Sequence, residues 1–247
     1  MLNEISTLGP EDWDKKEIKE QNKEIVRQID ELQRVLYAEG GRSLLIILQG
    51  VDAAGKDGAI RKIFSGVNPL GCNVFAFKRP TEVEVSHDFL WRIHHCTPAK
   101  GMIHIFNRSH YEDILVPKVE GYLADEVIEE RFGHINNFER LVQSSGTAVL
   151  KFYLHISKEE QLDRLTERVQ NPTKFWKHND EDWDSRKKWD KYMSVYEEIF
   201  QRCNVIPWHI IPADRNWVKT NYIAREILKT LQEMNLQWPD LQSDKFK

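Results

Sequence analysis

A short aliphatic run, Leu44 to Leu48, leads through Gln49 into Gly50-Val51-Asp52-Ala53-Ala54-Gly55-Lys56-Asp57-Gly58. An unbroken apolar run of this length reads as a strand buried on both faces of a parallel sheet. Gly50 to Lys56 fits G-x-x-x-x-G-K, and its place between a strand and a predicted helix makes the pattern a phosphate-binding loop. Gly50 and Gly55 permit backbone angles and a close approach that a side chain would block. The loop backbone, from Gly50 through Ala53, Ala54, Gly55 and Asp57 to Gly58, then forms a nest of N–H groups for anions. The helix starting near Lys56 adds the positive end of its dipole. Lys56 is expected to reach the terminal phosphates as a point charge.

The rest of the chain alternates in the same sense. Residues 15 to 38 read as a helix with Ile18, Ile25, Ile29, Leu32 and Leu36 on one face, stopped by Gly40-Gly41. Strands are expected at 74–77, 102–106, 148–154 and 208–211. Helices are expected at 85–95, 124–143, 158–169, 183–202 and 216–233. Strands separated by helices give an α/β fold: a parallel sheet covered on both faces. We expect one domain over residues 1–247, with no repeat or linker dividing it.

Charge and cysteine content narrow the function. Lys and Arg number 35 against 39 Asp and Glu, a formal charge of −4. A uniformly basic nucleic-acid binder is disfavoured, and any anion site must be a local groove. Cys72, Cys96 and Cys203 lie far apart, which argues against a disulfide framework or a Cys-rich zinc site and fits a reducing compartment. The longest apolar stretch is too short to span a bilayer, and the first twenty residues lack an apolar signal core. The expectation is a cytoplasmic protein without membrane or nucleic-acid partners. The amphipathic first helix can serve a homo-oligomer or pack on its own sheet.

Around the loop, two acids stand out. Asp57 occupies a position where Ser or Thr usually supplies a metal ligand, and it favours the helix start electrostatically. Asp52 is the better metal candidate, the alternative being a carboxylate that only accepts loop N–H bonds. The strand ending at Phe106 runs into Asn107-Arg108-Ser109-His110-Tyr111-Glu112-Asp113. Phosphate-loop enzymes often hold Mg²⁺ with an acid at such a strand end. Asn107 can offer an oxygen to the metal or to one of its waters, but no charge. Arg108 is a planar fork suited to phosphate oxygens, or half of a structural ion pair. Ser109-His110 forms no nucleophile–base dyad, and His94-His95 lacks metal spacing; both pairs read as packing or surface residues.

Residues 164–188 carry Arg164, Arg168, Lys174, Lys177, Arg186, Lys187 and Lys188, interleaved with Trp176 and Trp183 and interrupted by Asn171-Pro172. Such a segment can be a lid that brings cations over phosphate and excludes water, or a solvated helical hairpin. Lys78-Arg79 adds charge at the same sheet edge.

GVDAAGKDG, FNRSHYED and the spaced R-x3-R, P-x-K-x-WK lid pattern, together with SGVNPLGCNVFAFKRP and HDFLWR, resemble the type 2 polyphosphate kinases over roughly residues 15 to 235. The resemblance implies a three-layer P-loop kinase-like fold with a helical lid. It implies Mg²⁺-dependent phosphoryl transfer between inorganic polyphosphate and nucleotides, with AMP, ADP or both as acceptors. It assigns Asp52, Lys56, Arg108 and Arg168 as the catalytic set, and it places Asn107 where many relatives have an acid. Mg²⁺ would sit on Asp52 and Asn107. The polyanion would follow Lys78, Arg79, Lys177 and Arg186. The competing reading is an ATP-dependent nucleoside or nucleotide kinase of similar architecture.

Overall fold

The computed structural model describes residues 2–243 and 245. The expected 1–247 range reaches past these at residues 1, 244, 246 and 247, which lie outside the described set. Helix α1 (Lys15–Glu39) starts where Asp14 accepts from the N–H groups of Lys16 and Glu17, and stops at Gly40, whose φ is 65°. An Asp there satisfies donors that a helix start otherwise leaves open. The predicted face is the packed one: Ile18, Ile29 and Leu36 are buried, and Ile25 and Leu32 lie half-buried against the core.

Five strands, β1 (Ser43–Gln49), β2 (Cys72–Ala76), β3 (Ile103–Asn107), β4 (Thr147–His155) and β5 (Trp208–Pro212), form one parallel sheet in the order β2-β3-β1-β4-β5. β1 is the central strand and every residue in it is buried, as its unbroken apolar run requires. β2 is an edge, and Val74 is left half exposed.

The helices between these strands are α2 (Lys56–Ile63), α3 (Glu82–Val85), α4 (Trp91–His94), α5 (Glu112–Glu120), α6 (Asp125–Ser144), α7 (Lys158–Gln170), α8 (Asp180–Lys187) and α9 (Trp189–Arg202), and α10 (Asn216–Glu233) follows β5. α10 packs on α1 and α2, whereas α5 packs on α6 and α9. The chain therefore leaves β1 towards one layer and β3 towards the other. The crevice between those two strand ends is where an open parallel sheet takes its ligand, and Leu48 pairs with Asn107 there.

Three expected or unexpected helices show local chemistry overriding pattern. Of the helix expected over 85–95 only the single turn α4 lies inside the range, and another turn, α3, ends at its first residue, Val85. Thr81 and Glu84 form a reciprocal capping box on α3, and Asp88 turns its carboxylate onto the Leu90 N–H between the two turns. The helix expected over 183–202 breaks at Lys188. This lets α8 bury Asp182 beside α7 while α9 buries Met193, Tyr196, Ile199 and Phe200 in the core. α5 has no counterpart in the expected pattern, because Pro117 sits inside it.

One polar cluster is fully enclosed. Lys151, on β4, gives its three ammonium protons to Glu139 Oε2 at 2.8 Å, Tyr111 Oη at 2.9 Å and the Cys203 carbonyl at 2.9 Å. Glu139 is held below the usual carboxylate range: burial opposes this, but His110 and Lys151 outweigh it. Removing one member strands the other charge, so Glu139→Gln should lower the stability by about 3 kcal/mol. Replacing the pair together with Lys151→Met and Glu139→Leu should lose less. Urea midpoints at constant slope measure both.

Candidate active site

The loop between β1 and α2 has the backbone its glycines permit. Gly50 has φ 145° and Gly55 φ 92°. A Cβ at Gly50 would stand 2.9 Å from the Leu154 carbonyl oxygen, and one at Gly55 would stand 2.2 Å from Lys219 Nζ. Ala53 is also left-handed, at φ 64°. The N–H groups of Gly55 and Lys56 have no protein acceptor among the described residues, so the expected nest is open. Lys56 differs from expectation in its pose. Its ammonium curls back onto its own loop and donates to the Gly50 carbonyl at 2.6 Å and the Val51 carbonyl at 3.2 Å. Burial and the neighbouring Arg108 hold its pKa below that of an ordinary lysine, against the pull of Asp52, Glu112 and Asp57.

β3 delivers the second set. Asn107 ends the strand and donates through Nδ2 to Asp57 Oδ1 at 2.6 Å. Arg108 comes next in a left-handed conformation, φ 63°, a strained choice for a bulky residue that recurs at functional sites. Its N–H bonds the Leu48 carbonyl at 3.0 Å, and its guanidinium turns back over the loop to Asp52 Oδ1. Burial pushes the Asp52 carboxyl up, but Arg108 and Lys56, with a smaller pull from Arg168, hold it below its usual value. Asp52 is therefore ionised at neutral pH.

The 164–188 segment roofs this floor. It comprises the end of α7, a 3-10 turn over Pro172–Lys177, and α8. Arg168 pairs with Asp182 and donates to the Lys177 carbonyl at 3.2 Å; Lys177 lies 3.7 Å from Asp57. Between floor and roof lies a cavity of about 670 Å³, lined by eight Lys or Arg residues and four Asp or Glu residues. A chain of net charge −4 thus concentrates positive charge at one point, the condition for focusing a polyanion. Trp176 stands three-quarters exposed at the cavity, with Lys177 Nζ 4.9 Å from its ring centre.

Asp52, Ala53, Gly55, Lys56, Asp57, Gly58, Lys78, Asn107, Arg108, Arg168 and Lys177 all face this cavity. Gly50 and Ala54 shape the loop from beneath it. Arg79 is exposed outside the lining, and Arg186 is turned to the Lys158 carbonyl at 2.6 Å and Gln161 Oε1 at 3.0 Å. Ser109 and His110 are buried packing residues. Sequence pattern did not single out Arg61, Glu167 or Asp182 in the lining, nor Lys219 behind the loop. The one available signal for Lys219 was a lysine within the otherwise buried face of α10.

The model of the polyphosphate kinase 2 family matches residues 12–239. The chain is 45% identical to an AMP/ADP-polyphosphate phosphotransferase of Meiothermus ruber, over 86% of this chain and 80% of the relative. It is 37% identical to an ADP-polyphosphate phosphotransferase of Rhodopseudomonas palustris, over 87% and 79%. The crystal structure of polyphosphate kinase 2 from Arthrobacter aurescens superposes with a TM-score of 0.92 at 38% identity, covering 97% of this chain and 86% of that one. Both the roofed phosphate loop and these similarities have one reading: the chain belongs to the polyphosphate kinase 2 family.

Proposed function

We propose that this protein transfers phosphoryl groups between inorganic polyphosphate and nucleotides, accepting both AMP and ADP. The observation that carries it is the excess of cations over acids around a phosphate loop at the β1–β3 crevice; the names of the relatives identify the anions. Phosphoryl transfer needs positioning and charge shielding more than covalent chemistry. The open N–H groups of Gly55 and Lys56 bind one phosphate. Arg108 and Arg168 exchange their carboxylate partners for phosphate oxygens. The α7–α8 roof keeps water from competing as acceptor. No general base is required, because the accepting phosphate oxygen is already anionic.

The donor set suits Mg²⁺. Asp52 is a charged carboxylate whose Oδ2 has no hydrogen-bond partner among the described residues, and Asn107, with Nδ2 given to Asp57, keeps its Oδ1 available. No three His, Cys, Asp or Glu side chains converge among the described residues, which suits an ion that keeps waters and takes one or two carboxylates. When bound there, Mg²⁺ supplies charge neutralisation between donor and acceptor phosphates.

The test is direct. Protein, Mg²⁺ and polyphosphate should convert AMP to ADP and ADP to ATP. Product formed with ATP, but not polyphosphate, as sole donor would replace this reading with an ordinary nucleotide kinase. Within it, Arg168→Lys should be slow, because a point charge does not replace a two-pronged fork. Its kcat should fall below wild type but stay above the roughly 10²–10³-fold loss of deleting a donor outright. Normal kinetics in Arg168→Lys would remove the fork as the reason for arginine.

A further inference from the structure

Two more cations meet at the carbonyls of the phosphate loop: Arg164, which also borders the cavity, and Lys219, which is buried outside its lining. Arg164, from α7, donates through Nη1 to the Ala53 carbonyl at 3.0 Å and the Ala54 carbonyl at 2.9 Å. Its Nη2 holds the Ala213 and Asp214 carbonyls at 2.7 and 2.9 Å, beyond the end of β5. Lys219, from α10, donates through Nζ to the Ala54 and Gly55 carbonyls, each at 3.2 Å, and to Asn216 Oδ1 at 2.9 Å. Three successive loop carbonyls are thus held by these two cations. In a planar trans peptide the N–H points opposite to the C=O. With the carbonyls of Ala54 and Gly55 held in this way, the N–H groups of Gly55 and Lys56 point the opposite way, and both residues line the cavity. The fit is close: a Cβ at Gly55 would stand 2.2 Å from Lys219 Nζ, so a side chain there would displace the ammonium.

We infer that Lys219, with Arg164, is a positioning residue for phosphoryl transfer: the pair sets the anion-facing pose of the loop N–H groups and is electrostatically coupled to the phosphate bound in front of them. This inference rests on the proposed phosphate site. Lys219 is almost fully buried. Burial first, then Arg164 and more weakly Lys56, push its pKa down to about 7, against the pull of Glu160. The groups facing it are Arg164 and Glu160 of α7, Lys56 of α2, and Asn216 of its own helix. An anion arriving at the loop favours the ammonium form. Near pH 7.5 the free protein should therefore hold Lys219 partly neutral, and binding should draw in a proton.

Calorimetric titration of tripolyphosphate without metal, at pH 7.5 in two buffers of different ionisation enthalpy, measures that proton. Wild type should take up a substantial fraction of one proton more than Lys219→Met or Lys219→Arg. The first variant has no titrating group and the second never loses its charge. In Lys219→Met, kcat/KM for polyphosphate should also fall on the order of 10²-fold, the usual effect of displacing reacting groups by about an ångström. Should the Met variant fail to fold, Lys219→Arg carries the test by itself. Equal proton uptake in wild type and a folded variant overturns the inference while leaving the phosphate site intact. Failure of wild type to bind tripolyphosphate overturns the site itself.

Discussion

Lys56→Ala should retain the fold and lose turnover by on the order of 10²–10³-fold, the effect of deleting one preorganised donor at a developing charge. The ammonium is already inside the site, tied to the carbonyls of Gly50 and Val51. It needs only to exchange these for phosphate oxygens. Loss of those two bonds destabilises the loop by about 1 kcal/mol each, which a melting curve separates from the kinetic effect. A folded Lys56→Ala protein with most of its turnover would show that the loop amides and arginines suffice.

Asp52→Asn should be more severe and should act in two directions. It removes the main carboxylate proposed for Mg²⁺, so turnover should nearly vanish and the Mg²⁺ concentration for half-maximal rate should rise. It also removes the counter-charge of Arg108 and a neighbour of Lys56. Metal-free tripolyphosphate should then bind more tightly than to wild type. Asn107→Ala removes no charge and should do less to both quantities. Titrating Mg²⁺ against rate, and tripolyphosphate without metal, separates the roles. An unchanged Mg²⁺ dependence in Asp52→Asn would make Asp52 only the anchor of Arg108.

Features encoded by neighbouring residues were legible before the structure. The aliphatic run of β1 followed by the glycine loop located the sheet centre, and α10 occupies the expected 216–233. Elements whose hydrogen bonding is set by single side chains were not: Asp88 divides the 85–95 segment, and Pro117 disguises α5. The same divide runs through the site. Asp52, Lys56, Asn107 and Arg108 stand on two short motifs that end adjacent strands. Arg164 and Lys219 gain their position only when α7 and α10 pack against the loop, a long-range contact that no local spacing encodes. Arg186 shows the converse, since a cation in a cationic segment can face away from the groove.

The pairing of cavity cations with the protein's own acids, Arg108 with Asp52, Arg168 with Asp182 and Lys177 with Asp57, has a consequence for which anions get in. Each incoming phosphate must outcompete a carboxylate already in place. A single phosphate or sulfate ion releases one pair and leaves that acid without its partner, so its net gain is small. A chain of linked phosphates meets the second and third pairs at the high local concentration its own linkage provides. The resting site therefore acts as a valence filter. Affinity should climb steeply with the number of linked phosphates, and abundant small anions should leave the cavity closed on itself.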